Sequence, residues 1–253
     1  FKLFSPETSH LLALHSLKIL HKTRLQNIFF SKFEDKDFQF LGLTFKNRLG
    51  TAAGLDKNGD YIDCLGDLGF GFLEVGTVTP LPQPGNPKPR VFRLSNENAV
   101  INRLGFNNKG VDHLVNNLKN RKYKGIVGVN IGANKSSKGQ QRINDYITCF
   151  SKVAEFADYI TINISSPNTP GLRNLHSDEN IKNLIDAIEQ CAIALNFVRP
   201  IFIKISPDES TETIKSISEH ILISKLTGLL VSNTTIKKDM LENSKFKDLD
   251  GGL

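Results

Sequence analysis

Residues 159–171 read Tyr-Ile-Thr-Ile-Asn-Ile-Ser-Ser-Pro-Asn-Thr-Pro-Gly, a short apolar run followed at once by a dense set of hydrogen-bonding side chains. The run predicts a buried strand, and the polar residues from Asn163 onward follow its carboxyl end. Parallel α/β proteins carry their functional residues at that end of the strands. Pro167 and Pro170 restrict the backbone and indicate a stiff loop. This stretch alone fits a catalytic loop and an ordinary Ser/Asn/Pro turn equally well.

Similar apolar runs recur along the chain and alternate with segments of helical periodicity. The predicted strands are 49–53, 72–78, 126–131, 159–164, 201–205 and 229–231, and the helical segments between them include 110–118, 145–157, 181–195 and 212–226. Continuous apolar strands joined by crossover helices predict a parallel sheet covered by helices. Periodicity leaves two architectures open, an open doubly wound sheet and a closed (β/α)₈ barrel.

Two segments depart from this alternation. In residues 5–30, Ser5 is a candidate helix cap, and Ala13, Leu17 and Leu20 would share an apolar stripe. The helix could lie on a membrane surface or pack on the domain, and the pattern favours packing. Residues 80–106 are rich in Pro and Asn and too long for a plain βα connection, which predicts an insertion over the site.

Composition narrows the class of protein. With 39% hydrophobic and 23% charged residues and no apolar run of membrane-spanning length, the chain is typical of one large soluble domain. Its three cysteines lack the spacing of a zinc site or a disulfide scaffold, which indicates a reducing compartment and no metal. The net charge of +6 is spread along the chain without a basic aromatic motif, which argues against nucleic acid and favours anionic substrates or lipid headgroups.

Polar residues end or follow most of the predicted strands. Ala53 ends the first predicted strand and Gly54 and Lys57 follow it, and small residues before a cation suit a flat anionic ligand. Any one polar residue at a strand end could instead cap a helix or close a turn, but the recurrence favours a shared ligand site. Lys204 lies inside an apolar strand and needs an accepting partner, either a ligand or a structural ion pair.

These motifs together resemble the class 2, quinone-dependent dihydroorotate dehydrogenases, a family of flavoproteins. The resemblance runs from Leu41 onward and rests on Gly-Leu-Asp-Lys (54–57), Gly-Thr-Val-Thr-Pro (76–80), Pro-Gln-Pro-Gly-Asn (82–86), Asn-Arg-Leu-Gly-Phe-Asn-Asn (102–108) and the loop at 163. It implies an α/β fold, a (β/α)₈ TIM barrel over residues 41–253, truncated after about six βα units and lacking its C-terminal strands. Residues 1–40 would form a helical extension that associates with membrane and quinone.

The resemblance also implies the chemistry, the oxidation of (S)-dihydroorotate to orotate with FMN and a quinone acceptor in de novo pyrimidine (UMP) biosynthesis. Ser166 would be the catalytic base, where class 1 relatives carry Cys. The implied cofactor contacts are Ala52, Ala53, Gly54, Lys57, Thr77, Asn130, Asn163, Lys204 and Ser232, the last replacing a common Thr. The implied substrate contacts are Lys57, Asn102, Arg103, Leu104, Gly105, Phe106, Asn163, Asn168, Asn233 and Thr234.

The same resemblance implies a monomer attached peripherally to a membrane, on the cytoplasmic side of the inner membrane if the source is bacterial. Two other functions stay open. One is another FMN barrel such as a tRNA dihydrouridine synthase, for which the positive charge could be cited, although Lys57 and the Ser166 loop argue against it. The other is an inactive, non-enzymatic fragment of a longer parent enzyme.

Overall fold

A computed structural model describes residues 3–25, 36–165, 178–241 and 244–253. The helices are α1 (Pro6–Lys22), α2 (Ile62–Gly66), α3 (Val111–Asn120), α4 (Gln140–Val153), α5 (Asp178–Ala194) and α6 (Thr211–Leu222), with a 3₁₀ turn at Asp239–Leu241. The strands are β1 (Phe38–Phe40), β2 (Leu43–Phe45), β3 (Phe72–Val78), β4 (Val91–Leu94), β5 (Ala99–Asn102), β6 (Ile126–Ile131), β7 (Tyr159–Asn163), β8 (Ile201–Ile205) and β9 (Gly228–Val231).

The central sheet has the order β3-β6-β7-β8-β9, and every neighbouring pair is parallel. An open doubly wound sheet reverses its strand order at a switch point. Here each strand lies beside the next one of the sheet along the chain, and α3 to α6 connect them in turn. This order is that of a (β/α) barrel, and it decides between the two architectures that periodicity left open.

The predicted strand at 49–53 does not form as a strand. Gly50 makes a single parallel bridge to Phe72, and the N–H of Thr51 donates to the Phe72 carbonyl at 3.2 Å. Backbone hydrogen bonds to β3 continue past the start of a turn at Ala53, from the Gly54 N–H to the Gly76 carbonyl at 2.8 Å and from the Gly76 N–H to the Asp56 carbonyl at 3.0 Å. The segment nevertheless lies along the outer edge of β3, so it still delivers the residues after Ala53 to the carboxyl end of the sheet.

The core lies between the sheet and its helices. Strands β6 and β7 are buried along their whole length, as continuous apolar runs predict for strands covered on both faces. Fully buried side chains from the helices, such as Leu114, Phe150 and Leu184, pack against them. Each such side chain stabilises the fold by about 1.5–3 kcal/mol relative to exposure to water.

Helix α1 packs on the domain, as the sequence pattern favoured. The Ser5 side chain accepts the N–H of Thr8 at 3.3 Å, which confirms the predicted cap. The predicted apolar stripe was partly wrong, because Ala13 is exposed. The helix instead buries Leu14 and rests Leu17 against the main core. In the described part of the chain, no helix has both the length and the apolar character needed to cross a membrane.

The Pro- and Asn-rich segment contains an antiparallel hairpin, formed by β4 and β5. Asn102, at the end of β5, exchanges two backbone hydrogen bonds with Gly252 at 2.9 and 2.8 Å. The hairpin contacts α1. The predicted insertion therefore exists, and it places residues 102–106 next to the N-terminal helix.

Candidate active site

A cavity of about 870 Å³ lies between helix α1 and the carboxyl ends of the central strands. Its floor and sides include Thr77 of β3, Asn163 of β7 and Lys204 of β8. Helix α1 supplies the opposite wall, and the 102–106 segment closes a third side. Segments that the sequence marked separately, namely the polar strand ends, the N-terminal helix and the insertion, therefore meet around one space.

Most of the predicted site residues line this cavity. From the predicted cofactor contacts these are Ala53, Gly54, Lys57, Thr77, Asn163 and Lys204, and from the predicted substrate contacts Asn102, Leu104, Gly105, Phe106, Asn233 and Thr234 as well as Lys57 and Asn163. Ser166 and Asn168 lie outside the described residues.

Four predicted residues do not line the cavity. Ala52 is exposed, and Asn130 is fully buried beneath Thr77. The guanidinium of Arg103 donates to the Pro89 carbonyl at 3.2 and 3.4 Å. The hydroxyl of Ser232 donates to the Asn233 carbonyl at 3.0 Å. The side chains of Arg103 and Ser232 are thus engaged with neighbouring backbone.

A buried hydrogen-bond network fixes the polar groups on the cavity floor. Thr77 donates its hydroxyl to Asn130 Oδ1 at 2.6 Å, and Asn163 Nδ2 donates to Thr77 Oγ1 at 3.0 Å. Asn163 Oδ1 accepts the hydroxyl of Ser165 at 2.9 Å, and the Ser165 hydroxyl oxygen accepts from Asn233 Nδ2 at 3.0 Å. Because the residues come from β3, β6, β7 and the loop after β9, the network joins four strand ends into one preorganised surface.

Gly76 permits the close approach of β3 and β6 within this network. Its φ is +115°, and a Cβ atom there would overlap the carbonyl oxygen of Asn130. Any L side chain would therefore strain the backbone and push the strands apart. The glycine keeps Thr77 within reach of Asn130.

Lys57 projects into the cavity from a turn organised by Asp56. The buried Asp56 carboxylate accepts the backbone N–H groups of Asp60 at 3.0 Å and Tyr61 at 2.8 Å. Lys57 Nζ donates to the Gly54 carbonyl at 2.8 Å. Burial, and after it the nearby Arg90 guanidinium, lower the pKa of Lys57 to about 8, while Glu7 and Asp56 act in the opposite direction. An anionic ligand would supply the charge that this ammonium lacks.

Lys204 is half-buried in β8 and faces the same cavity. The structure gives it no carboxylate ion pair within the described ranges. The structural ion pair that the sequence left open is therefore not found within those ranges. Over the same residues, no group of three or more His, Cys, Asp or Glu side chains is placed to hold a metal ion.

The cavity fits a flat ligand that carries hydrogen-bonding groups. Ala53 and Gly54 offer almost no side chain, and a Cβ built on Gly54 would meet nothing within 4 Å. Asn107, another lining residue, has a buried Oδ1 atom without a hydrogen-bond partner. An unpaired buried acceptor is costly unless a bound molecule or water supplies a donor.

The sequence did not predict which side chains of helix α1 line the cavity or which partners they have. Its Glu7 carboxylate pairs with the buried Arg90, at 2.6 Å from Nη2 and 3.2 Å from Nε. Arg90 Nη1 also donates to the carbonyls of Pro84 at 2.6 Å and Asn86 at 3.0 Å. His10 lines the cavity, and burial together with Lys57 lowers its pKa. The only sequence signal was an acidic residue in the first turn of a helix, which is common without any pairing.

We expect Glu7→Ala to lower the free energy of unfolding by about 2–4 kcal/mol, because it leaves the Arg90 charge buried without its partner. Urea denaturation would measure the loss. Lys88→Ala is the matched control, since Lys88 is mostly exposed and lies 3.7 Å from the same carboxylate; it should change stability by less than about 1 kcal/mol. Equal effects of the two substitutions would contradict the role given to the Glu7–Arg90 pair.

The stability that this pair contributes should also depend on pH. Burial raises the pKa of Glu7, but the hydrogen bond and charge of Arg90 outweigh it, so the pKa lies below its usual value. The stabilisation is therefore complete above the pKa of an unfolded glutamate and is lost as the pH falls through the lower folded value.

Comparisons with known proteins agree with this geometry. The dihydroorotate dehydrogenase family model matches residues 37–253. The chain is 46% identical over 257 residues to a dihydroorotate dehydrogenase (quinone) of Saccharophagus degradans, covering all of this chain and 76% of the relative. It is 46% identical to the protein of the same name from Acinetobacter baylyi, over 98% of this chain and 75% of that one.

A solved structure agrees as well. The crystal structure of DHODH from Eimeria tenella in complex with ferulenol superposes with a TM-score of 0.85 at 33% identity, over 98% of this chain and 71% of the other. The chain thus spans about three quarters of the length of these relatives. By sequence and fold, the chain belongs to the dihydroorotate dehydrogenase family, and within it to class 2.

Proposed function

We propose that the protein oxidises (S)-dihydroorotate to orotate in de novo pyrimidine biosynthesis, with FMN as cofactor and a quinone as electron acceptor. The observation that carries this proposal is a single cavity that joins Lys57, Asn163 and Asn233 to the 102–106 segment under helix α1. Family membership at 46% identity supports the same reaction. The net change is balanced, because dihydroorotate loses two hydrogens and the quinone gains them.

The polar groups of the cavity suit a small anionic pyrimidine. The Lys57 ammonium would pair with the carboxylate of dihydroorotate or orotate. The amides of Asn102, Asn163 and Asn233 offer both donors and acceptors to the ring N–H and C=O groups. Asn102 reaches the site through the hairpin insertion, and the other two reach it from strand ends. Binding from both sides would hold the ring in one orientation.

The flavin would lie where the small residues leave room. Ala53, Gly54 and Thr77 would lie against the flat ring system, with Lys204 beside it. The chemistry that FMN would supply there is that of a hydride acceptor for C6 of the substrate and an electron donor for the quinone. The Lys204 ammonium would stabilise negative charge on the reduced ring, which accounts for a lysine inside an apolar strand.

Ser166 would remove the C5 proton of the substrate. It follows Ser165, whose hydroxyl bridges Asn163 and Asn233 on the cavity floor. An isolated serine is a weak base, so hydrogen bonding and a path for the proton must assist it.

Helix α1 would associate peripherally with a membrane, from which a quinone reaches the cavity. It carries exposed apolar side chains, among them Leu12 and Ile19, the latter 62% exposed. Such side chains on a lysine-bearing helix suit an interface with anionic lipid. The protein would act as a monomer, on the cytoplasmic face of the inner membrane if the source is bacterial.

We expect Leu12→Asp combined with Ile19→Asp to reduce binding to anionic liposomes by roughly tenfold or more, because both acids would enter the headgroup boundary. Co-sedimentation with vesicles of phosphatidylglycerol and phosphatidylcholine measures this. Leu222→Asp is the control, since Leu222 is 81% exposed on α6, away from the cavity wall. Equal loss in the control, or none in the double variant, would argue against α1 as the membrane contact.

The proposed reaction is tested by turnover of the whole chain. The purified protein is supplied with FMN, dihydroorotate and a soluble ubiquinone analogue, and orotate is measured by chromatography. Orotate formation that requires the quinone supports the proposal. Reoxidation of the reduced flavin by tRNA and not by quinone would favour a tRNA dihydrouridine synthase. A chain that binds no FMN would match a non-enzymatic fragment.

A further inference from the structure

We infer that Glu74 is a positioning residue that decides which way the amide groups on the cavity floor face. Glu74 lies in β3, is 6% exposed and does not line the cavity. Among the described residues, Asn130 is the one that hydrogen-bonds both to the Glu74 side chain and to residues of the cavity floor. The consequence for ligand binding rests on the proposed function, whereas the orientation of the amides does not.

The Glu74 carboxylate is held entirely by hydrogen-bond donors. Oε1 accepts from Asn130 Nδ2 at 2.9 Å. Oε2 accepts from the hydroxyls of Tyr159 and Thr161, both at 3.1 Å. No lysine or arginine of the described ranges pairs with it. In this arrangement both carboxylate oxygens act as acceptors, so Asn130 turns its NH₂ group toward Glu74 and keeps its Oδ1 for the cavity side.

That single constraint propagates to the cavity. With its NH₂ on Glu74, Asn130 presents Oδ1 to the Thr77 hydroxyl at 2.6 Å and to Asn163 Nδ2 at 3.2 Å. Asn163 must then present Oδ1 on its other side, where it accepts the Ser165 hydroxyl at 2.9 Å and the Ser165 N–H at 3.2 Å.

The same sequence of donors and acceptors extends from Asn163 through Ser165 to Asn233. Because the Ser165 proton is donated to Asn163, its oxygen is free to accept from Asn233 Nδ2 at 3.0 Å. Asn233 Oδ1 accordingly accepts the N–H of Thr234 at 2.8 Å. Reversing Asn130 would place donor against donor at Asn163, because the backbone N–H groups of Ser165 and Thr234 hold Oδ1 of Asn163 and of Asn233 on their present sides.

The orientation of these side-chain amides matters because a pyrimidine ring presents a fixed series of donors and acceptors. A floor with one amide reversed would oppose two donors or two acceptors and leave buried groups unpaired. Glu74 would therefore influence specificity for the ring without touching it.

Two substitutions at Glu74 separate orientation from packing. Glu74→Leu removes the acceptor and frees the Asn130 amide to rotate. Glu74→Gln can keep an oxygen toward Asn130, while its NH₂ donates to the Tyr159 and Thr161 hydroxyls. Tyr159→Phe is the matched control, because it removes a buried bond to Oε2 and leaves the bond to Asn130.

The test has two measurements on the full chain. The first is the ¹H–¹⁵N spectrum of the Asn163 and Asn233 side-chain amides without any ligand. The second is the affinity of the FMN-loaded chain for orotate. Glu74→Leu should shift or broaden both amide signals and weaken orotate binding by roughly tenfold or more. Glu74→Gln and Tyr159→Phe should leave the signals in place and the affinity within about threefold.

Unchanged amide signals in Glu74→Leu would overturn the inference, as would equal losses of affinity in Glu74→Leu and Tyr159→Phe. If Glu74→Leu does not fold, Asn130→Leu interrupts the same series one step later and must shift the same signals. If the wild-type chain binds no orotate, the proposed function fails, and the amide spectrum still decides the role of Glu74.

Discussion

Replacing Ser166 by alanine is expected to slow the reduction of bound FMN by dihydroorotate by ~10²-fold or more, because a positioned base contributes about that much to proton abstraction. FMN should remain bound, since the residues proposed to hold it are elsewhere. Anaerobic stopped-flow absorbance, with the flavin as reporter, measures the rate of reduction directly and does not depend on the quinone step.

Ser165→Ala is the matched control for this prediction. The neighbouring hydroxyl bridges Asn163 and Asn233, so its loss should weaken orotate binding more than it slows the saturated rate of reduction. An unchanged rate in Ser166→Ala would remove Ser166 from the mechanism. Equal losses of the saturated rate in both variants would assign the effect to the loop rather than to the Ser166 hydroxyl.

Orotate is expected to bind most tightly below about pH 8 and more weakly above it, because burial lowers the pKa of Lys57 to about 8. Below this pH the ammonium is charged and attracts the orotate carboxylate. Above it the free protein must take up a proton to bind the anion, so affinity should fall by up to about tenfold per pH unit until the higher pKa of the complex is reached. Titration of flavin fluorescence from pH 6 to 9.5 measures this.

Lys57→Met should weaken orotate binding by roughly 10- to 100-fold below pH 8 and abolish this pH dependence, since the charge-assisted contact is lost. Lys182→Met is the control, because Lys182 is exposed and paired with Asp186 away from the cavity. The same pH dependence persisting in Lys57→Met would show that another group titrates.

Much of the fold could be predicted because apolar runs mark buried strands directly. The predicted bounds of β3, β6 and β8 match the structure, since each mostly apolar run is bounded by Gly, Pro or polar residues. The predicted strand at 49–53 forms only one regular bridge, from Gly50 to Phe72, because its other hydrogen bonds to β3 run irregularly into a turn, and local propensity does not reveal such irregular pairing. Deciding between a barrel and an open sheet required the order of the strands in the sheet, which depends on pairing between residues far apart in the sequence.

Some features of the site could likewise be predicted from the sequence, and others could not. Polar residues at strand ends were predictable, since parallel strands deliver their carboxyl ends to one edge. The Glu7–Arg90 pair joins residues 83 positions apart, and no local pattern signals it. Glu74 was also missed, because a single charged residue in an apolar strand does not show what it contacts.

The most direct measurement is the visible spectrum of the chain purified with FMN, recorded under anaerobic conditions before and after adding dihydroorotate. The proposed function predicts that the flavin bleaches, since the substrate delivers its hydride without any quinone present. A flavin that stays bound and oxidised in the presence of dihydroorotate would contradict it.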